Sequence, residues 1–177
     1  AIDNPSRIDG LFIERAMVRA SDRLSILSAE APIHQPVLTD GSAFFQLQEE
    51  LKGGFETTIV DIPRNMLIQY PHLMTDMQSV IVVTELTLAA ARDTIRILAW
   101  LRTNAPQTQI IVVANGVPVG PTEISRKEFE EAVERPIDVL LNEDGKIFIQ
   151  AAKLGKTVGE VTKTTKTGQA LLAIANK

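Results

Sequence analysis

The chain has 177 residues, 45% of them hydrophobic and 23% charged, an ordinary globular composition with length enough for one domain and a real core. Cysteine is absent, which excludes a disulfide frame, a thiolate nucleophile and a cysteine-ligated metal, and fits a reducing compartment. The net charge of −4 is unevenly spread: residues 1–144 carry 12 Lys and Arg against 21 Asp and Glu, whereas residues 145–177 carry six lysines against one glutamate.

Apolar residues at Ile8, Leu11, Phe12, Ala16 and Val18, with charges between them, predict a helix over 7–19. Leu24, Ile26 and Leu27 make a short strand, closed over 29–32, and 34–39 reads as loop. Asp40 or Ser42 caps a helix over 43–52, which Gly53 and Gly54 end because glycine tolerates the left-handed C-terminal residue. Next comes Phe55-Glu56-Thr57-Thr58-Ile59-Val60-Asp61-Ile62-Pro63-Arg64, a β-branched run that ends in a carboxylate and is cut off by proline. It predicts a central strand delivering Asp61 to the carboxyl edge of a sheet, where open α/β sheets place their sites.

A helix over 66–77 is kinked or restarted at Pro71. Val80-Ile81-Val82-Val83, within 79–84, is a continuous apolar run of the kind covered on both faces. The helix over 87–104 carries a stripe of Leu88, Ala91, Ile95, Leu98 and Leu101. A second buried-type strand over 110–113 ends at Asn115 and Gly116, and Ser125 with Glu128 forms a capping box for a helix to 134. A strand over 137–141, a helix from Asp144 to 154, a Gly155-Lys156-Thr157-Val158 turn and a helix over 166–176 complete the chain.

Strands alternating with helices predict an α/β fold, a mostly parallel sheet with helices on both faces. Asp61, Thr84 with Glu85, Asn115, and Asn142 with Glu143 and Asp144 then fall at the carboxyl ends of four strands, which marks that edge for a ligand. Other chemistry has little behind it. His34 and His72 have no acids nearby at metal spacing, and Ser21, Ser28 and Ser125 lack the flanking glycines of a nucleophile elbow. A lone Asp at a strand end is also the mark of a receiver-like phosphoacceptor module, which asks for an acidic pair and a late lysine that are not in place here.

Aromatics at 5% without an interleaved basic patch argue against nucleic acid, and the basic tail reads as a solvated helix face. No apolar run approaches the roughly 18 residues of a membrane span. The last helix, with Ala170, Leu171, Leu172 and Ile174, is expected to pack on the sheet instead of seeking a membrane.

Several stretches share order and spacing with one family. They are Arg7-Ile8-Asp9 with Phe12-Ile13-Glu14-Arg15-Ala16, Ile26-Leu27-Ser28-Ala29-Glu30, Ile59-Val60-Asp61-Ile62-Pro63-Arg64, and Val82-Val83-Thr84-Glu85-Leu86-Thr87 running on to Asp93. Asn115, Glu123-Ile124-Ser125 with Phe129, and the segment of Asp144, Ala151 and Gly155-Lys156-Thr157-Val158 continue the pattern. Over about residues 8–159 the chain resembles the MinD/ParA-type deviant P-loop ATPases, and within them the CpaE/TadZ branch of Tad-type pilus assembly. The resemblance implies a P-loop NTPase-like fold and a bacterial cytoplasmic protein, at the inner membrane periphery or a cell pole. Such a protein forms a homodimer around ATP and positions pilus or secretion assembly proteins. It also implies residue roles: Asp61 as the catalytic acid that holds magnesium through water or aligns the attacking water, Asn115 as the reader of the adenine edge, and Asp144 as an acid near the base. Pro63 and Arg64 match that branch's replacement for small residues, while Asn142 stands where the wider family has a proline.

The family's phosphate cradle is missing. It needs glycines that turn successive N–H groups toward the phosphates at a helix N-terminus, with a lysine and a hydroxyl. Lys52-Gly53-Gly54 lacks the second Gly-Lys pair and precedes a predicted strand; residues 116–120 contain Pro118 and no lysine. The expectation is that residues 1–177 are a partial MinD/ParA-like domain, the C-terminal part of a longer protein, lacking the N-terminal P-loop strand. ATP and magnesium belong to the intact protein, and no nucleotide is expected on this part alone. The alternative is an ATP-hydrolysing ParA/MinD-type ATPase of which this chain is one piece. In the family the P-loop strand lies between the Ile59 and Val80 strands, so its loss predicts that those two pair directly or that another copy fills the gap.

Overall fold

The computed structural model describes residues 8–28, 41–162 and 164–177. The predicted closing turn over 29–32, the loop over 34–39 with His34, and the Asp40 cap lie outside them. The chain divides into two compact units, Ala1–Thr75 and Asp76–Lys177.

In the first unit, α1 (Gly10–Ala16) is shorter than the periodicity predicts. Asp9 caps it by accepting from the Phe12 N–H at 2.7 Å, and Met17 already has extended backbone. Val18 therefore starts β1 (Val18–Ser21), which pairs antiparallel with β2 (Leu24–Ile26) in an exposed hairpin. The next helix, α2 (Ser42–Gly54), is capped by Gly41 at φ 87 without a side-chain bond. A Cβ there would lie 3.0 Å from the His72 ring, so space as well as backbone selects glycine. Gly53 and Gly54 remain helical and extended Phe55 ends the helix, which corrects the predicted glycine terminator. Ile8, Ile13, Ala43 and Leu51 form the core, with Phe12, Met17 and Leu47 against it.

The stretch predicted as the central strand is not one. Residues 57–63 join no ladder, and residues 57–61 are exposed. β-branched residues favour strands only where a neighbouring strand satisfies the backbone and covers the side chains, and none does so here. The chain goes on through α3 (Arg64–Gln69) and restarts at Pro71 in a 3₁₀ turn, Pro71–Met74, where the missing proline N–H is harmless.

The second unit runs β3 (Ser79–Thr84), α4 (Leu88–Asn104), β4 (Gln109–Val117), α5 (Arg126–Val133), β5 (Val139–Asn142), α6 (Gly145–Leu154), α7 (Val158–Val161) and α8 (Lys166–Ala175). The three strands form a parallel sheet in the order β3-β4-β5, with Ser79 opposite Gln109 and Val113 opposite Val139. On α4 the buried residues are Ala91, Thr94, Leu98 and Leu101, whereas Leu88 and Ile95 of the predicted stripe are exposed. Thr94 donates its one hydroxyl proton to the Ala90 carbonyl at 2.8 Å, so the 2.9 Å contact with Thr84 takes its proton from Thr84. That bond ties α4 to the face of β3 that carries Val82 and Thr84. The opposite face of β4 and β5 is covered by α8, whose Ala170, Leu171 and Ile174 pack on Ile111, Val113, Val139 and Leu141.

Side chains rather than a ladder hold the entry to β5, which is why the strand begins later than predicted. Glu130 accepts from the Ile137 N–H at 2.8 Å and from Arg126 at 2.9 Å, while Arg126 donates to the Ile137 carbonyl at 2.9 Å. Asp138 accepts from the Val112 N–H at 2.9 Å and returns its own N–H to the Val112 carbonyl at 2.9 Å. β3, by contrast, has a paired strand on one side only among the described residues, and its Ile81 and Val83 are exposed. Coverage on both faces is not observed for β3, and no ladder joins it to residues 57–63.

Candidate functional site

Parallel strands bring all their carboxyl ends to one edge. Here β3, β4 and β5 end together, with Thr84 opposite Ala114 and Val117 opposite Asn142. Between Ala114 and Val117 the register slips, since β4 advances three residues while β5 advances two. The extra residue makes a β-bulge with Gly116 at φ 63, a left-handed conformation that glycine adopts without strain. The sequence signal was the Asn-Gly pair inside an apolar run. A bulge re-aims the side chain beside it, and Asn115 stands exposed at this point, its amide able both to donate and to accept.

The other polar groups of the edge divide into packing and available ones. Thr84 is buried and its proton is committed to Thr94, so it serves the fold. Glu85, Asn142 and Glu143 are exposed, and the Glu143 N–H donates to the Val117 carbonyl at 2.8 Å, anchoring the end of β5 to the bulge. Asp144 caps α6, accepting from the Ile147 N–H at 3.4 Å on one oxygen and from the Thr167 hydroxyl at 3.4 Å on the other. Both bonds are long, and a carboxylate has lone pairs left over for a ligand. Thr167 was not anticipated: it comes from α8, and nothing local in the sequence ties it to Asp144.

The structure thus brings Asn115 and Asp144 onto one sheet edge. Asp61 lies in the first unit, exposed and outside any strand, so three strands rather than four build that edge. The receiver-like reading loses its premise with that strand. Phosphates have no closely wrapped cradle at residues 116–120, because a Cβ added at Gly116 or Gly120 would meet nothing within 4 Å. His72 packs against Phe44 and Tyr70 as an aromatic neighbour. Among the described residues no group of three His, Cys, Asp or Glu could hold a metal ion, and no helix is long and apolar enough to cross a membrane. A shallow cleft of about 450 Å³ runs along α6 between Lys146, Ile149, Gln150, Lys153 and Leu154. All five belong to one helix, so it is a groove between side chains and not a ligand chamber.

No protein-family model and no curated protein matches the sequence. Solved structures do. A ParA family ATPase from Chlorobium tepidum TLS matches with a TM-score of 0.83 at 16% identity, over 99% of this chain and 72% of that one. A chain of the MinC:MinD cell division protein complex from Aquifex aeolicus gives 0.74 at 18% identity, over 97% of this chain and 73% of that one. The septum site-determining protein MinD complexed with Mg-ADP, from Pyrococcus horikoshii OT3, gives 0.64 at 18% identity, over 92% and 66%. The chain has the α/β fold of the ParA and MinD ATPases, with a parallel three-stranded sheet flanked by helices.

Proposed function

We propose that this chain is the nucleotide-fold part of a CpaE/TadZ-type pilus assembly and localisation factor, working through protein contacts and not hydrolysing ATP by itself. The observation that carries the reading is the likeness to a ParA family ATPase over 99% of the chain, in a sequence whose Gly155-Lys156-Thr157 follows helix α6 instead of a strand and has Gln150 where a phosphate loop has its first glycine. The pilus branch rests on the residues around Ile59 to Arg64 and Val82 to Asp93. In this reading the protein acts in the cytoplasm, at the inner membrane periphery or a cell pole, as a homodimer beside pilus or secretion components.

The edge suits the base half of an adenine nucleotide better than its phosphates. Asn115 supplies an amide for the adenine edge, and Asp144 a carboxylate that α6 and Thr167 already orient. Magnesium is held through one or two carboxylates together with the phosphates themselves, a role that Asp61 takes in the intact protein. A second reading, that the intact protein hydrolyses ATP, is favoured by the MinD neighbour with Mg-ADP.

Calorimetric titration with adenosine, ADP and magnesium-ATP tests the nucleotide half. Weak binding that is indifferent to magnesium and lost in Asn115→Ala supports it, whereas tight magnesium-dependent binding to this chain overturns the contact-only role. Deleting the gene in its host tests the assembly half: cells that still build normal pili exclude it. In the intact protein Asp61→Ala should impair nucleotide-linked behaviour and leave the thermal midpoint unchanged, since Asp61 is exposed and belongs to no strand. An equal loss of stability would remove Asp61 from the site.

A further inference from the structure

Little of α6 is covered. It reads Gly-Lys-Ile-Phe-Ile-Gln-Ala-Ala-Lys-Leu, mostly apolar, yet only Ala151 is buried and only Ile147 half-buried. Phe148 is 43%, Ile149 58% and Leu154 55% exposed. The helix follows β5, which stands at the opposite end of the sheet order from β3.

The cleft along α6 gives this bare face a pattern. Its lining residues, Lys146, Ile149, Gln150, Lys153 and Leu154, are spaced i, i+3, i+4, i+7 and i+8, the stripe by which one helix meets another. A surface helix normally turns such a stripe to the core, but α6 turns Ile147 and Ala151 inward and leaves this one outside. Within the stripe the two lysines lie two turns apart, with Ile149 and Leu154 beside them.

The charge of the face is also unmatched. On α4 and α5 cations pair with acids of the same helix: Arg96 with Asp93 at 3.9 Å, Arg126 with Glu130 at 2.9 Å and Lys127 with Glu131 at 3.8 Å. Helix α6 has no acid of its own, and the nearest acids in sequence, Asp144 and Glu160, are turned to the caps of α6 and α7. Lys146 and Lys153 form no ion pair among the described residues.

We infer that this face of α6 docks an acidic amphipathic helix of a partner protein, with carboxylates over Lys146 and Lys153 and apolar side chains over Ile149 and Leu154. Cations inside a helix-packing stripe call for anions at the same spacing, since a purely apolar partner would leave two ammonium groups desolvated and unpaired. A lipid surface asks instead for an unbroken apolar face with cations at its margins. A nucleic acid asks for a phosphate track, which leaves Ile149 and Leu154 in water. The inference rests on the contact role of the proposed function and adds where that contact is made and with what chemistry.

The test uses the whole chain, labelled for NMR, and a synthetic helical peptide of about three turns with glutamates at i and i+7 and leucines at i+3 and i+4. The peptide should move amide signals of α6 with a dissociation constant below about 1 mM. The double variant Lys146→Glu/Lys153→Glu should bind it about tenfold or more weakly and should gain a lysine-for-glutamate peptide by a similar factor. Circular dichroism should be unchanged, because both lysines are exposed. Phosphatidylglycerol vesicles and duplex DNA are titrated alongside. In the intact protein in its host, p-benzoylphenylalanine in place of Gln150 captures the natural occupant, and mass spectrometry reads the joined segment. An acidic amphipathic segment of another protein, lost in the double lysine variant, supports the proposal. Absent binding, signals that move only away from α6, acidic and basic peptides bound alike, or vesicles or DNA bound through these lysines in preference to the peptide would each overturn it. Crosslinks to lipid, nucleic acid or a segment without acids would do the same. Normal pili in the deletion strain with peptide binding intact would remove the pilus assignment alone, whereas lost pili with no acidic helix on α6 would remove this surface alone.

Discussion

The hydroxyl of Thr84 has one proton to give and, inside the second unit, one well-placed acceptor, Thr94, whose own proton goes to Ala90. Thr94→Val removes that acceptor and leaves the buried Thr84 hydroxyl only the long 3.5 Å contact with the Glu85 carbonyl, so the expected loss is about 1–3 kcal/mol in urea unfolding. Making Thr84→Val as well should restore part of it, because two apolar partners leave nothing unsatisfied. A double variant as unstable as the sum of the singles would count against this pairing. Asp138 makes the same point with charge. Burial raises its pKa, but the Val112 N–H, the Lys177 ammonium at 3.3 Å and the nearby Arg135 outweigh it, leaving the carboxyl below its ordinary value of 3.8. A depressed carboxyl stabilises the fold at pH above its unfolded value, and that stability is lost as pH falls through the lowered folded value. Asp138→Asn should therefore cost about 1–2 kcal/mol at neutral pH and flatten the decline of the urea midpoint on acidification below about pH 5. An unaltered pH profile would mean that other carboxylates govern the acid limb. Neither partnership was visible in the sequence, for Thr94 is merely one helix position and Asp138 reaches Val112 across 26 residues.

Where an element's cause is local, the sequence announced it. The capping box of α5 is present as read: Glu128 takes the Ser125 N–H at 2.7 Å while Ser125 takes the Glu128 N–H at 3.2 Å, and these bonds to Ser125 lower the Glu128 pKa. Ser125→Ala should cost about 1 kcal/mol, seen as a lower thermal midpoint. Asp144 at the start of α6 was legible in the same way. Where the cause is non-local, the reading failed. Residues 55–64 have every local mark of a strand, but a strand exists only in company, and nothing in the run names its neighbour. The β4 bulge lies between these cases, since Asn-Gly is a local mark whereas the extra residue shows only against β5. Gly116→Ala forces a Cβ into φ 63, at an expected cost of about 1 kcal/mol, and should disturb any adenine contact at Asn115 by more than that change in stability explains. Full binding with the expected destabilisation would detach the bulge from the site.

At the scale of the molecule, alternating strands and helices made an α/β fold with a parallel sheet readable, because periodicity reports which faces are buried. How the chain divides was not readable, since no proline-rich or glycine-rich linker marks the passage at Thr75 and Asp76. The two units differ in what they bury. The second holds a sheet with α4 on one face and α8 on the other, and its fully buried Leu101, Val112, Val113 and Phe129 lie on three different elements. The first has its core cluster in Ile8, Ile13, Ala43 and Leu51, with Leu73 and Met74 also buried among its described residues, and carries an exposed two-stranded hairpin of a kind that is marginal by itself. The latches at Glu130, Arg126 and Asp138 all close within the second unit. Residues 76–177 expressed alone should therefore unfold in one cooperative urea transition, with α-helical circular dichroism, whereas residues 1–75 alone should give a shallow, non-cooperative change. β3, paired only with β4 among the described residues, is exposed at the edge of the isolated second unit, which should aggregate when concentrated. Val83→Lys should suppress that aggregation without moving the urea midpoint, because it charges the edge and leaves the core alone. A second unit that fails to fold by itself would show that its sheet depends on residues before Asp76.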